Sequence, residues 1–256
     1  MSGFTRADVC TVAVAEVFRG DGEVLASSFG SVPAVGARLA KLTFEPDLMM
    51  TDGIACLLAD VPPVSGPSNS QPVIEGWLPF RRVFDLLWSG RRHVVMTASQ
   101  IDRYGNHNFA CIGPYEKPVA QLLGMRGAPG NTINHPTSYW VPNHSTKTFV
   151  PEVDVVSGVG YDRAAALGSR SSRFHEVRRV VSNLGVFDFA TPDRSMRLAS
   201  VHPGVSVDEV VESTGFPLAL PDGAGVPETR APSEEELRLI REVLDPEGFA
   251  GREVPG

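Results

Sequence analysis

With 256 residues, 42% of them hydrophobic and 21% charged, the chain can bury the core of one large α/β domain or two small ones, and this composition excludes a disordered, coiled-coil or collagen-like protein. A formal net charge of −7 excludes a nucleic-acid surface, which needs a basic stripe, so a polyanionic ligand has to be met locally, by a few arginines and helix N-termini. The three cysteines, Cys10, Cys56 and Cys111, are widely spaced, form no metal or redox motif, and read as reduced, mostly buried thiols of a cytoplasmic protein.

The opening Met1-Ser2-Gly3-Phe4-Thr5-Arg6 does not read as a signal peptide, and no apolar run is long enough for a bilayer, so no membrane association is expected. Thr5 is a candidate N-cap with Asp8 in the first turn, and a helix runs from it to Gly20. Val9, Val12, Ala13, Glu16 and Val17 have the spacing of one face, although the segment is apolar nearly all round. Glu23–Ala26 reads as a short strand, and Pro33 suits the first turn of a second helix reaching Leu42. After the break at Glu45-Pro46-Asp47, Leu48–Met50 reads as a buried strand ending at Thr51-Asp52-Gly53. Val61–Trp77, rich in Pro, Ser and Gly, reads as a surface loop. A helix is expected over Phe80–Ser89, stopped by Gly90, and a strand over His93–Ala98.

In the second half, Lys147–Val150, Asp154–Ser157 and Glu176–Ser182 are strand candidates. Ser206 with Glu209 and Ser233 with Glu236 form capping boxes, opening helices that end at Ser213 and before Pro246; a Pro/Gly-rich linker, Leu220–Pro232, lies between them. Strands alternating with helices imply an α/β fold with a mostly parallel sheet covered by helices on both faces. One domain is expected over residues 1–218, with a linker and C-terminal helix, 219–256, packed on it.

Residues 100–108, Gln-Ile-Asp-Arg-Tyr-Gly-Asn-His-Asn, place a polar turn just after the apolar run Val94-Val95-Met96. A strand opening into such a turn presents polar groups at a sheet's carboxyl edge, where α/β proteins bind ligands. Asx side chains bond neighbouring amides, so Asp102, Asn106 and Asn108 read first as turn formers, with Asn106 the one set to touch a ligand. Tyr104 and His107 are candidates for lining a pocket or a subunit contact. Gly127-Ala128-Pro129-Gly130-Asn131 reads as a turn whose glycines let backbone amides approach a ligand, and in isolation as a plain surface turn. Arg126, just before it, is either a surface arginine or a planar fork for a carboxylate or ketone. Asn131, Asn134 and His135 follow in a polar run no core element would choose. His135, extended before Pro136, either reaches the ligand or makes a structural hydrogen bond. His202-Pro203-Gly204 reads as a structural turn, and His93, His144 and His175 have no motif around them. No spacing of His, Cys and carboxylates suggests a metal site, and neither a Walker loop nor a dinucleotide fingerprint is present.

Five motifs in order carry a family resemblance: Gln100-Ile-Asp102-x-x-Gly105-Asn106-x-Asn108, Gly127-Ala-Pro-Gly-Asn131, Asn183-Leu-Gly-Val-Phe-Asp-Phe189, His202-Pro-Gly-Val205 and Thr214-Gly-Phe216. Over nearly its whole length the chain resembles the β subunit of class I coenzyme A transferases. Within that family it is similar to the β subunits of the actinobacterial steroid (cholesterol) ring-cleaving hydrolases, which act on a coenzyme A thioester. The resemblance implies an open twisted α/β sheet, related in architecture to sugar-phosphate isomerases, and an active site between an α and a β subunit, in an αβ pair doubled to α2β2. Coenzyme A is then part of the substrate, and no separate cofactor is expected.

The transferases of this family carry the coenzyme on a glutamate in a Glu-x-Gly turn after a buried strand. The equivalent turn here is Thr51-Asp52-Gly53, with Thr51 where the glutamate belongs. A threonine hydroxyl is not ionised near neutrality and would need its own base. Asp52 points the other way on an extended backbone, although a one-residue slip of the alignment would put it in the nucleophile position. The resemblance therefore implies hydrolysis of a carbon–carbon bond in a cyclic β-keto coenzyme A thioester. Arg126, Gly127, Gly130 and Asn131 are its candidate catalytic residues, and Thr51, Asp52, Tyr104, Asn106, Asn134 and His135 its candidate substrate contacts. No convincing base is present, so a carboxylate of the α subunit is expected to supply it. Two alternatives stand beside this reading: a true transferase using Asp52, and a catalytically silent partner or ligand sensor on the same fold.

Overall fold

Thr5 starts the first helix, α1 (Arg6–Glu16), through a reciprocal cap: its hydroxyl accepts from Asp8 N (3.2 Å), and the Asp8 carboxylate accepts from Thr5 N (2.8 Å). Residues from Ala7 to Ala15 are all buried, as a segment apolar nearly all round requires. In this computed structural model the described residues are 3–66, 71–170, 172–221, 223 and 225–254. They cluster into two units, Met1–Val95 with Arg230–Gly256, and Met96–Thr229. The 219–256 segment is thus shared, belonging to the second unit up to Thr229 and to the first beyond it.

The first unit continues with β1 (Leu25–Ser28), α2 (Ser31–Thr43), β2 (Met50–Thr51), β3 (Cys56–Leu58), β4 (Ile74–Trp77) and α3 (Phe80–Trp88). Helices α1 and α2 pack closely because Gly36 has no side chain: a Cβ there would lie 2.9 Å from Val14 Cγ1. The chain reaches the second unit along β5 (Arg92–Thr97), which pairs parallel with β1, Leu25 opposite Arg92 and Ser28 opposite Val95. Strands β2, β3 and β4 form an antiparallel sheet. Strand β4 corrects the surface loop expected over Val61–Trp77, of which residues 67–70 lie outside the described residues. Ile74 and Trp77 are exposed, so no buried period marked the strand.

The second unit holds β6 (Gln100–Ile101), β7 (His107–Asn108), β8 (Cys111–Ile112), β9 (Ala120–Gln121), α4 (Ala128–Asn134), β10 (Pro136–Val141), α5 (Tyr161–Ala166), β11 (Glu176–Ser182), β12 (Gly185–Asp188), β13 (Arg197–Val201) and α6 (Val207–Glu212). Strands β10 and β11 run parallel, and β12 and β13 extend the sheet antiparallel. Tyr139 and Trp140 of β10 are fully buried, with Phe149 and Phe187. Two strand expectations fail here. Lys147–Val150 is a turn with a single bridge, Phe149 to Ile101, and Asp154–Ser157 is bent because the Asp154 carboxylate holds Gly113 N (2.8 Å) and the Gln100 amide (3.1 Å).

Ser206 caps α6 by accepting from Glu209 N. Ser233 and Glu236 make the full box opening α7 (Glu234–Arg238), which passes into a π-helical turn, Leu239–Leu244, before α8 (Phe249–Glu253). These last elements pack on α1 and α2, and Glu253 accepts from Val32 N (2.8 Å). The fold class is α/β, with parallel pairs where the chain crosses over and an antiparallel meander after β11.

Candidate active site

In the first unit, β2 runs into the turn Thr51-Asp52-Gly53, where Gly53 takes a left-handed φ of 78°. Asp52 Oδ1 accepts three backbone N–H groups, from Ile54 (2.8 Å), Ala55 (2.9 Å) and Cys56 (3.0 Å). The amides of Cys56 and Ile54 foremost hold this carboxyl below the usual carboxylate range. Amide protons that stabilise the charge also withdraw it from a would-be nucleophile. Asp52 thus serves as an Asx turn former, and Thr51 Oγ1 accepts from Gly53 N (3.2 Å).

A cavity of about 580 Å³ opens beside this turn, lined among others by Thr51, Asp52, Ser27, Arg38, Phe80 and Arg92. That size suits a small-molecule site. Asp52→Ala is expected to speed amide exchange at Ile54, Ala55 and Cys56 while leaving the rest of the unit protected. Because the folded pKa is depressed, the same loosening should appear in the parent protein as pH falls below the ordinary carboxylate range and through that depressed value. Unchanged exchange in the variant would refute this role.

In the second unit, the polar turn lies between β6 and β7. Asp102 Oδ1 accepts from Tyr104 N and Asn106 N (3.0 Å each), and Oδ2 from Asn106 Nδ2 (2.9 Å). Burial raises the Asp102 pKa, against these bonds. Asn106, expected to touch a ligand, is turned inward: Nδ2 also donates to Asp162 Oδ1 (2.9 Å), and Oδ1 accepts from Gly160 N (2.7 Å). Both amide protons and the carbonyl are spent, so the turn-forming reading applies to Asn106 as well. Asn108 likewise donates to Gln100 Oε1 (2.8 Å) and Cys111 O (2.7 Å). Tyr104 is half-buried under the Arg103 guanidinium, 4.9 Å from the ring centre. His107 is fully buried against Tyr139, with Nδ1 2.6 Å from the phenol oxygen, and burial pushes its pKa down to about 3.

Residues 127–131 are not a free turn but the start of α4, with Gly127 at the N-cap and proline in the first turn, where its missing N–H costs nothing. The Asn131 amide donates back to Gly127 O (2.9 Å) and the Ala128 amide to Met125 O (3.0 Å), so these two donors are not aimed at an oxyanion. The Asn131 side chain is buried, with Nδ2 3.4 Å from Met96 Sδ and Oδ1 3.3 Å from His135 Nε2. His135 is fully buried and its Nδ1 donates to Pro136 O (2.9 Å), the structural role among its two readings. Asn134 Nδ2 donates to Gly130 O (2.7 Å).

Arg126, Gly127 and Pro129 of this segment face outward. Gly127 is exposed at an ordinary φ of −80°, and a Cβ there would meet nothing within 4 Å. Arg126 is exposed with φ of 44°, its Nε donating to Leu123 O (3.1 Å); among the described residues no carboxylate pairs with it.

Sequence reasoning missed what joins the polar turn to α4. His107 N donates to Gly158 O (3.1 Å), Val159 N to Thr132 Oγ1 (3.2 Å), and Gly160 N to Asn106 Oδ1. A Cβ on Gly158 would overlap His107 Cε1, and one on Gly160 would overlap Tyr104 O and Asn106 N. Gly-Val-Gly was the available signal, but nothing local says what the glycines face. Arg38 and Arg92, well separated in the chain, were missed for the same reason. Among the described residues, no three His, Cys, Asp or Glu side chains are grouped to hold a metal ion, and no helix is long and apolar enough to cross a membrane.

Coenzyme A transferase sequences match residues 84–213, from within α3 past the end of α6, and so include the polar turn and α4. The cholesterol ring-cleaving hydrolase IpdB subunit of Rhodococcus jostii is 55% identical over 98% of this chain and 96% of its own. The chain belongs to the coenzyme A transferase family. The crystal structure of Rhodococcus jostii IpdAB superposes with a TM-score of 0.93 at 53% identity, over 100% of both chains. Glutaconate coenzyme A-transferase from Acidaminococcus fermentans shares the fold, with a TM-score of 0.82 at 24% identity over 97% of this chain and 98% of that one. Within the coenzyme A transferase family, then, high identity falls on a ring-cleaving hydrolase subunit, and the transferase proper is a distant relative.

Proposed function

We propose that this chain is the β subunit of a heteromeric hydrolase that opens a cyclic β-keto coenzyme A thioester by carbon–carbon hydrolysis in cholesterol ring catabolism. The observation that carries this is the turn at 51–53: Thr51 stands where the family resemblance expects a glutamate, and one oxygen of the neighbouring Asp52 carboxylate is occupied by three amides. Identity of 55% to a subunit named for ring cleavage points the same way.

The chemistry needs no covalent carboxylate. Water gives a proton to a base and adds to the ring ketone, forming a tetrahedral oxyanion. Collapse of that oxyanion breaks the bond to the carbon beside the thioester carbonyl. The electron pair passes into the thioester enolate, which then takes up a proton. Arg126 stands exposed to meet a developing oxyanion, and Gly127 leaves room for a ligand to approach the backbone. Asn131 and His135 hold α4 from within. The base is assigned to an α subunit, in an α2β2 assembly, and coenzyme A enters as part of the substrate with no further cofactor. An apolar ladder supports a partner: Phe80, Phe84 and Trp88 of α3 follow one another with ring centres 5.4 and 5.9 Å apart, and Phe80 and Trp88 are 73% and 62% exposed. Cytoplasmic location fits three cysteines that form no disulfide, of which burial pushes Cys10 up to about 12 and so makes it inert.

The test is turnover of a cyclic β-keto coenzyme A thioester by the chain alone and co-expressed with an α-type partner, each quenched with hydroxylamine. Ring opening by the pair alone, with no trapped adduct, is expected. A hydroxamate on Asp52, with coenzyme A passed to a free carboxylate, would replace the hydrolase by a transferase.

A further inference from the structure

The cavity beside Thr51 contains two arginines that the reaction above does not use. Arg38, on α2, donates from Nε to Pro62 O (2.8 Å) and from one terminal nitrogen to Ala34 O (3.0 Å). Two neutral carbonyls fix the plane of the guanidinium without cancelling its charge. Arg92, at the start of β5, donates from Nε to Ser27 Oγ (3.0 Å), across the parallel pair that β5 makes with β1. Each guanidinium is thus oriented by groups of the strand, helix or loop beside it, as a preformed site requires.

Burial lowers the pKa of both, Arg92 to about 10, so they remain charged at neutrality with much of their hydration removed. Among the described residues lining the cavity Asp52 alone is acidic, and one of its oxygens already takes three amide protons. In a chain of net charge −7 this is a local concentration of the opposite sign. The hydrophobic share of the wall, including the buried Leu25, Met50 and Leu78, strengthens any charge-assisted bond made inside.

We propose that Arg38 and Arg92 form an anion subsite in the wall of this cavity, taking a carboxylate or phosphate group of the coenzyme A thioester ligand. The inference rests on the thioester reading of the protein and adds to it the group by which the ligand is anchored. Two parts of such a ligand carry anionic oxygens: the phosphates of the coenzyme, and a second carboxylate on the acyl portion. Either would be held by the same forks.

Calorimetric titration of the assembled protein with coenzyme A and, separately, with glutarate tests this. The parent is compared with Arg38→Gln, Arg92→Gln and, as a charge control outside the cavity lining, Arg91→Gln. Both cavity variants should weaken one probe about ten- to hundredfold, with Arg91→Gln close to the parent. Loss confined to coenzyme A assigns the subsite to phosphate, and loss confined to glutarate assigns it to an acyl carboxylate. Unchanged affinities in the cavity variants, an equal loss in Arg91→Gln, or a parent that binds neither probe overturns the proposal. Should Arg92→Gln not fold, the helix variant Arg38→Gln decides alone. Failure of the parent complex to cleave the ring would sink the hydrolase while leaving these binding losses in place, so the two failures are told apart.

Discussion

Replacing Arg126 by alanine is expected to lower kcat/KM of the assembled enzyme by about 10²- to 10³-fold, with no loss of stability. The magnitude is that of removing one donor from a developing oxyanion, roughly 3 kcal/mol. The backbone is the reason to expect the stability of the variant to hold. Arg126 sits at φ of 44°, a left-handed conformation that costs a residue with a Cβ about 1–2 kcal/mol. Among the described residues its exposed side chain is held by one hydrogen bond, from Nε to Leu123 O. Arg126→Gly should therefore raise stability by about 1 kcal/mol while losing activity as the alanine variant does. Arg126→Lys should restore part of kcat, since it returns the charge without the planar fork. Steady-state kinetics and denaturant midpoints on the same preparations separate the cases. A surface arginine would leave kcat untouched in all three, and that result would remove Arg126 from the reaction.

The elements legible in the chain were those whose cause is local. Thr5 with Asp8 and Ser233 with Glu236 announce their helices because a cap is a bond between residues three apart. The Asx-rich stretch 102–108 announced a turn for the same reason. What stayed hidden depends on partners far away in sequence. Strand β4 is paired yet exposed, so its residues carry no buried period. Gly127 to Asn131 contains the composition of a turn, but glycine at an N-cap and proline in a first turn are also how a helix begins. The segment Lys147–Val150 has strand-like residues and only one bridge to pair with.

The candidate site divides in the same manner. Thr51 was legible because the resemblance expects a carboxylate at the turn Thr51-Asp52-Gly53 and the sequence shows a hydroxyl there. The direction of the Asn106 side chain was not, since it depends on Gly160 and Asp162 reaching it from the start of α5. Nor could the pairing of Arg38 with Arg92 around one cavity be read, because neither sits in a motif.

Gly160→Ala is the second large effect expected, this time on stability: a loss of at least about 3 kcal/mol, centred on the second unit. The backbone there is ordinary, with φ of −91° and ψ of −169°, so alanine suffers no conformational penalty at this position. The cost is entirely one of space. A methyl group would overlap Tyr104 O and Asn106 N and lie 2.7 Å from Gly105 C, all backbone atoms with no rotamer to turn away. To admit it, the 102–106 turn must shift, breaking the Gly160 N to Asn106 Oδ1 bond (2.7 Å) and leaving the buried Asp102 carboxylate without its amides. An uncompensated buried charge is among the most destabilising outcomes of a single change. Because Val159 N also holds Thr132 Oγ1 on α4, the segment carrying Arg126 should loosen with it, and activity should fall alongside stability. Gly127→Ala supplies the contrast: with open space at its Cβ and φ of −80°, it should leave the denaturation midpoint unchanged. Hydrogen exchange read at residues 102–106 and at α4 should rise in Gly160→Ala and in neither place in Gly127→Ala. If Gly160→Ala keeps the parent midpoint, the 158–160 segment does not clamp the turn to α4, and Arg126 must be positioned by something else.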